Sequence, residues 1–251
     1  MQIITFDLAL GILRLSHKYQ IDGLQKAIKL KLLEHWPLEH SEYLARLASL
    51  ETPEHRIPQA AKLIEAAQRC QANELLPTAF YELSCVRGTG CLEVSRNISP
   101  ENVARLWIGH ACVERRLRSF VDSNPNTPTR MWARANIGEA STIFEYREAF
   151  PCCTHSERFV FDFPSKAVCP STFPTFGAKL AERLFNGTTV LTALQQLSRE
   201  PLSKNVCLGC RDWFKSVLEN KIQELWECIP ADFDLPPVDP VLYSKIQIHA
   251  F

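Results

Sequence analysis

Two cysteines three positions apart, Cys207-Leu-Gly-Cys210, are the pair in this sequence best spaced to do chemistry. Thiols at CxxC spacing can hold a zinc ion or shuttle a disulfide. A structural zinc needs four tetrahedral ligands. The remaining two would come from Cys152, Cys153, His155 and Cys169, and the set put forward is Cys153, Cys169, Cys207 and Cys210. A plainer reading competes with it. Val206, Cys210, Trp213 and Val217 recur at helical spacing on one apolar stripe, and an unbridged cysteine is a common small buried residue. There is no second CxxC, and the spacing of the other candidates matches no recognised finger. Redox use lacks the βαβ context of a thioredoxin-like site. The expectation is no cofactor, with structural zinc as the alternative.

Elsewhere the residue types suited to chemistry stand alone. His110 falls on the apolar face of its helix, the position of a satisfied core histidine. Glu114-Arg-Arg-Leu-Arg118 is the densest basic cluster and reads as a solvated helix face. Arg87-Gly-Thr-Gly-Cys91 has two glycines. It lacks both spacings, GxGxxG and GxxxxGK[ST], with which backbone amides cradle phosphate. No GxSxG elbow, HExxH or nucleophile with an adjacent base is present. The chain reads as non-enzymatic.

Composition narrows the partners. Lys plus Arg and Asp plus Glu balance at 28 each, so no global field draws the chain to nucleic acid or to an anionic membrane. Apolar residues make up 46% and charged residues 22%, an ordinary globular balance. With 251 residues the chain can bury the core of one large domain or two small ones. Nine glycines and sixteen prolines favour helices joined by Pro-marked loops. The ten cysteines are scattered or loosely grouped, unlike a small secreted disulfide framework, so reduced thiols are expected. The opening residues lack a basic leader and carry Asp7, unlike a secretory signal. No uncharged apolar run approaches the roughly 20 residues that cross a bilayer. The expected location is intracellular, nucleus or cytoplasm.

The elements that would position these residues are helices. Over residues 6–15, apolar positions 6, 10, 13 and 8, 12, 15 form two overlapping helical stripes, so most of that helix surface is apolar. Asp22 is placed to cap a second helix with Leu24, Ala27, Ile28 and Leu32 on one face and Lys26, Lys29 and Lys31 off it. Pro37 ends it. A third helix is predicted near residues 41–50. A fourth opens at Pro58, a favoured first position, with Ala60, Leu63, Ile64 and Ala67 inward. Leu76, Ala79, Phe80 and Leu83 mark the next. The clearest helix starts at Ser99 as cap and Pro100 as first residue, with Val103, Leu106, Trp107, His110, Leu117 and Val121 on one face. Residues 123–129 read as a loop and 157–163 as the one short strand. Helical spacing returns over 176–185, 190–197 and 206–226.

The stretch FDLALGILRLSHKYQIDGLQKAIKLKLLEHWP resembles the last two helices of a BTB/POZ domain, where a helix ending in Lys-Tyr meets a hydrophobic position, a short break and L-x-x-x. LLPTAFYELS (75–84), ISPENVARLWIGH (98–110), the Cys207/Cys210 pair and LWECIPADFDLP (225–236) are similar to the helical, loosely BACK-like region after BTB in basidiomycete-type fungal proteins. The resemblance spans residues 5–122 and 165–237; residues 123–150 fit the pattern poorly. A BTB domain carries its sheet, its dimer surface and its cullin-docking segment ahead of these helices, and none of these is present. The resemblance therefore implies a BTB protein truncated at its N-terminus.

Together these readings give an all-α fold, an irregular array of about eight to ten helices. Residues 1–37 are the BTB-type helix pair and 38–122 a BACK-like region. Residues 123–164 are a loop or insertion, 165–235 a cysteine-containing helical region and 236–251 a tail. The implied function is protein–protein interaction, as an adaptor or scaffold of cullin-type ubiquitin ligases or of transcriptional complexes. The alternative is a small zinc-stabilised helical domain. Protein partners are expected, with neither nucleic acid nor membrane. Phe6, Leu8, Leu10, Ile12, Leu13 and Leu15 would be under-buried, each Leu-sized side chain left in water forgoing roughly 1.5–3 kcal/mol. Self-association through that first helix would follow.

Overall fold

The segment that resembles a BTB helix pair does form two helices, and the break between them comes from the backbone. A computed structural model describes residues 5–47, 53–86, 96–123, 176–185, 189–201 and 208–237. Helix α1 spans Phe6–Lys18, capped by Thr5, whose Oγ1 accepts from the Leu8 amide at 3.4 Å. His17 and Lys18 occupy its last turn, where positive charge suits the helix dipole. Gln20 then turns left-handed at φ 54°; its amide donates to His17 O at 3.2 Å, and the Ile21 amide donates to Ser16 O at 2.9 Å. This paired closure satisfies the last carbonyls of α1.

Helix α2 (Asp22–Leu33) starts directly after it. Asp22 was expected to cap α2. Instead Ile21 is the cap, its carbonyl accepting from the Gln25 amide at 2.9 Å, and Asp22 is the first helical residue, where its charge suits the positive end of the helix dipole. The other helices are α3 (His40–Leu47), α4 (Pro53–Arg69), α5 (Leu76–Ser84), α6 (Pro100–Ser123), α7 (Phe176–Phe185), α8 (Val190–Arg199) and α9 (Leu208–Asp232). A 3-10 turn, Asn73–Leu75, leads into α5. The fold is all-α, and no strand occurs among the described residues. The strand expected at 157–163 lies outside them, as does the loop expected at 123–129 except for Ser123, which instead ends α6.

Two units are present: residues 1–114 with 226–251, and residues 115–225. In the first, α4 turns Ala60, Leu63, Ile64 and Ala67 inward, as the spacing predicts, and all four are fully buried. Pro58, expected to open this helix, lies inside it; Pro53 holds the first position. From α5, Leu76, Ala79, Phe80 and Leu83 join the core. Tyr43, Tyr81 and Trp226 pack ring against ring at 4.9–6.0 Å, and the Trp226 indole donates to Leu38 O at 2.5 Å.

Helix α6 is capped as expected, Ser99 Oγ accepting from the Asn102 amide at 3.3 Å. Its inward line differs from the expected one. Asn102, Leu106, Gly109 and Val113 face in, while Trp107 is 63% exposed with Ile108 beside it. The reason is Gly109: a Cβ there would fall inside the Phe233 ring, so the residue without a side chain sets the buried face.

In the second unit, α7 and α8 form a hairpin that buries Leu180, Val190, Leu191, Ala193, Leu194 and Leu197. Thr189 caps α8, its Oγ1 accepting from the Thr192 amide at 3.4 Å. Glu200 clasps the pair, 2.6 Å from Lys179 Nζ and 2.9 Å from Arg183 Nη2. These two donors, Lys179 foremost, hold the Glu200 carboxyl below its ordinary range. Phe214, Leu218, Ile222 and Leu225 line the buried side of α9 in this unit.

Candidate interaction surface

Helix α1 has two unlike faces. Ala9, Leu10, Leu13 and Ser16 are buried. Leu8 and Leu15 are each 54% exposed and Tyr19 64%, with half-buried Ile12 between the leucines. Leu10 and Leu13 thus depart from the expectation that the whole helix is under-buried: they are buried in a helix that packs on α2 and α4. What remains in water is a single stripe at positions 8, 12, 15 and 19, the i, i+4, i+7, i+11 spacing of one helix face.

Helix α2 is rotated from its expected setting. Ile28, Leu32 and Leu33 are buried, whereas Leu24 and Ala27 face solvent. Lys29, expected on the outside, turns in. Its Nζ lies 3.0 Å from Glu74 Oε1 and donates to Gln71 O at 3.4 Å. One turn earlier, Gln25 Nε2 donates to Cys70 O at 3.0 Å. The two side chains satisfy carbonyls freed where α4 ends at left-handed Gln71, φ 52°. Capping the neighbouring helix outweighs presenting Leu24 to the core.

The charges around the stripe are uneven. Arg14, Lys18 and Lys26 are exposed and form no ion pair among the described residues. Lys18 Nζ sits 5.5 Å from the Tyr19 ring centre. Asp7 is engaged by Lys62 at 2.8 Å.

A buried electrostatic cluster lies elsewhere in the same unit. Arg56 grips Glu82 with two nitrogens, Nε donating at 2.9 and 3.0 Å and Nη2 donating to Oε1. It also donates to His35 O at 3.2 Å, and its guanidinium lies 4.3 Å from the Trp36 ring centre. Burial pushes the Glu82 carboxyl up even with Arg56 holding it down. Burial, with Glu82 nearby, raises the Tyr43 hydroxyl well above its usual value. His35 Nδ1 accepts from Arg46 Nη2 at 2.6 Å, and burial followed by the Arg46 charge lowers its pKa. Sequence reasoning passed over Arg56, Glu82 and Glu74 and set Lys29 on the outside. The available signal was a charged residue in phase with an apolar face: Glu82 lies three residues from Ala79, and Lys29 three and four from Leu32 and Leu33.

Of the proposed zinc ligands, Cys153, Cys169 and Cys207 lie outside the described residues, as do Cys152 and His155. Cys210 is on the first turn of α9, and its side chain is likewise outside the description. His110, expected in the core, is half-buried on the rim of α6, with Nε2 3.3 Å from Glu114 Oε1. In the basic cluster, Arg115 and Arg118 are exposed, as expected of a solvated face, and Leu117 is buried. No helix among the described residues is long and apolar enough to cross a membrane. No protein-family model, no curated protein and no solved structure matches this chain.

Proposed function

We propose that this chain is a non-enzymatic protein-interaction module of the BTB/POZ type. It serves as an adaptor or scaffold that brings a partner to a cullin-type ubiquitin ligase or to a transcriptional complex. The observation that supports this most is the outer face of α1. Leu8, Leu15 and Tyr19 stand more than half in water on a helix whose opposite face is packed. An apolar stripe with a charged rim is the kind of surface a protein partner covers. The α1–α2 break adds to it: Lys18-Tyr19, left-handed Gln20, then Ile21 and Leu24, in the order of the BTB-type pattern.

The test uses the chain immobilised from a soluble preparation beside a Leu8→Ser/Leu15→Ser variant. Both leucines are exposed, so the variant keeps its helical circular dichroism. The expected result is a stoichiometric complex with subunits of a ubiquitin ligase or a transcriptional assembly, retained by the wild type and lost in the variant. Equal retention by the two proteins would remove the reading.

A further inference from the structure

We infer that the outer stripe of α1 docks an amphipathic helix whose apolar side is flanked by acidic residues. This rests on the reading of the chain as a protein-interaction module and names the chemistry of its partner. Three observations carry it.

The first is spacing. Leu8, Ile12, Leu15 and Tyr19 run along three turns of one helix face. At about 1.5 Å per residue that is roughly 16 Å, a length that a partner helix with the same spacing matches side chain for side chain.

The second is Gly11. It sits between Leu8 and Leu15 along the edge of the stripe, and a Cβ built there meets nothing within 4 Å. Glycine inside a helix is a poor helix former. No packing among the described residues requires it here. What its absent side chain leaves is a notch where another backbone can approach closely.

The third is charge. Arg14 and Lys18, one turn apart, border the stripe on the Gly11 side, and neither forms an ion pair among the described residues. Just past the turn Lys26 is matched by the exposed Asp22, so the excess positive charge rests on Arg14 and Lys18. Asp7, the acid nearest the stripe on α1, is already paired with Lys62. In a chain of zero net charge this flank is locally positive. A second copy would bring the same cations and no free α1 carboxylate to meet them. Carboxylates on a partner would complement them.

The experiment uses two synthetic helical peptides with leucines at i, i+4, i+7 and i+11, flanked by Glu in one and by Lys in its twin. Binding to the full chain is followed by fluorescence anisotropy. The Glu peptide is expected to bind at least about tenfold more tightly than its twin, the gap narrowing as salt screens it. Arg14→Glu/Lys18→Glu should reverse the preference. Gly11→Gln should abolish binding of the Glu peptide without lowering the melting temperature, an outcome that a fold defect would not produce. Binding unchanged by Gly11→Gln, or a lack of binding by either peptide, overturns the inference. So does stripe-dependent dimerisation, or stripe-dependent capture by vesicles of anionic lipid in place of the peptide. Equal binding of the twins that is lost in Leu8→Ser/Leu15→Ser overturns the acidic partner and leaves the interaction module standing. The module itself falls on the retention experiment above.

Discussion

Helix α5 buries eight of its nine residues, whereas α1 buries four of thirteen. The two belong to the same unit, and both are rich in large apolar side chains. The difference lies in what surrounds them. Around α5, α4 and Phe233 press from different sides, and its one charged residue, Glu82, is neutralised by Arg56. The Thr78 hydroxyl donates to Pro37 O at 2.5 Å. Such complete burial is tolerable only because each polar group inside has a partner. Among the described residues, helix α1 meets neighbours on one side alone, and its second apolar stripe stays in water. Similar apolar content therefore makes a buried core element of one helix and a half-exposed face of the other.

The sharpest way to break the α5 side of this contrast is to orphan its charge. Glu82→Leu should cost about 3–5 kcal/mol in equilibrium denaturation, since it strands a buried guanidinium. Replacing both partners, Arg56→Met with Glu82→Leu, should restore most of that loss, as hydrophobic replacement of a buried pair often does. If the double variant is no better than the single one, the cost lies in packing and not in the unpaired charge.

Next in size is Gly109→Ala, which drives a methyl group into the Phe233 ring. Overpacking of this kind costs about 1–3 kcal/mol, read as a drop in the denaturation midpoint. Truncating Phe233 to Leu in the same chain should recover part of it.

A pH series probes the edge of the cluster. The His35 pKa is lowered from its ordinary 6.5 in the folded protein, so the unfolded chain takes up the proton first. Its contribution to stability is present above 6.5 and drains away as pH falls through 6.5 toward the lower folded value. His35→Asn keeps an acceptor for Arg46 and cannot titrate. Its stability should vary less with pH in that window than the wild type's, and identical slopes would show that His35 contributes nothing.

Gln71, left-handed at φ 52°, can be relieved by glycine. Gln71→Gly should leave stability unchanged or raise it by up to about 1 kcal/mol, the cost of a side chain in that conformation. The smallest effect is expected on the α1 side: Leu8→Ser/Leu15→Ser should shift stability by no more than about 0.5 kcal/mol, as for surface positions. A loss as large as that of Glu82→Leu would mean that α1 is as deeply packed as α5, and the contrast would dissolve.

Much of the helix placement was legible in the sequence. Ala60, Leu63, Ile64 and Ala67 in α4 and Leu76, Ala79, Phe80 and Leu83 in α5 repeat at helical spacing and are all buried, because burial of an apolar face is what the period encodes. The apolar excess of α1 was legible too; which of its two stripes stays outside was not. Leu10 and Leu13 face in and Leu8 and Leu15 face out, although the four are the same residue type in one helix. A pattern in one dimension holds no record of which side a distant helix such as α4 approaches.

Composition and local periodicity by themselves determined that this chain is all-α, where most helices run, and that Ser99 and Pro100 open α6. These are short-range matters of propensity, capping and spacing. Tertiary structure alone decided the rest. Lys29 turned inward because the end of α4 supplied acceptors forty residues away, across the fold. Trp107 turned outward because Phe233 needed the room that Gly109 leaves. Arg56 and Glu82 came together across 26 residues of sequence. In each case the orientation was set by a group far along the chain, and only folding brings such a group within bonding distance.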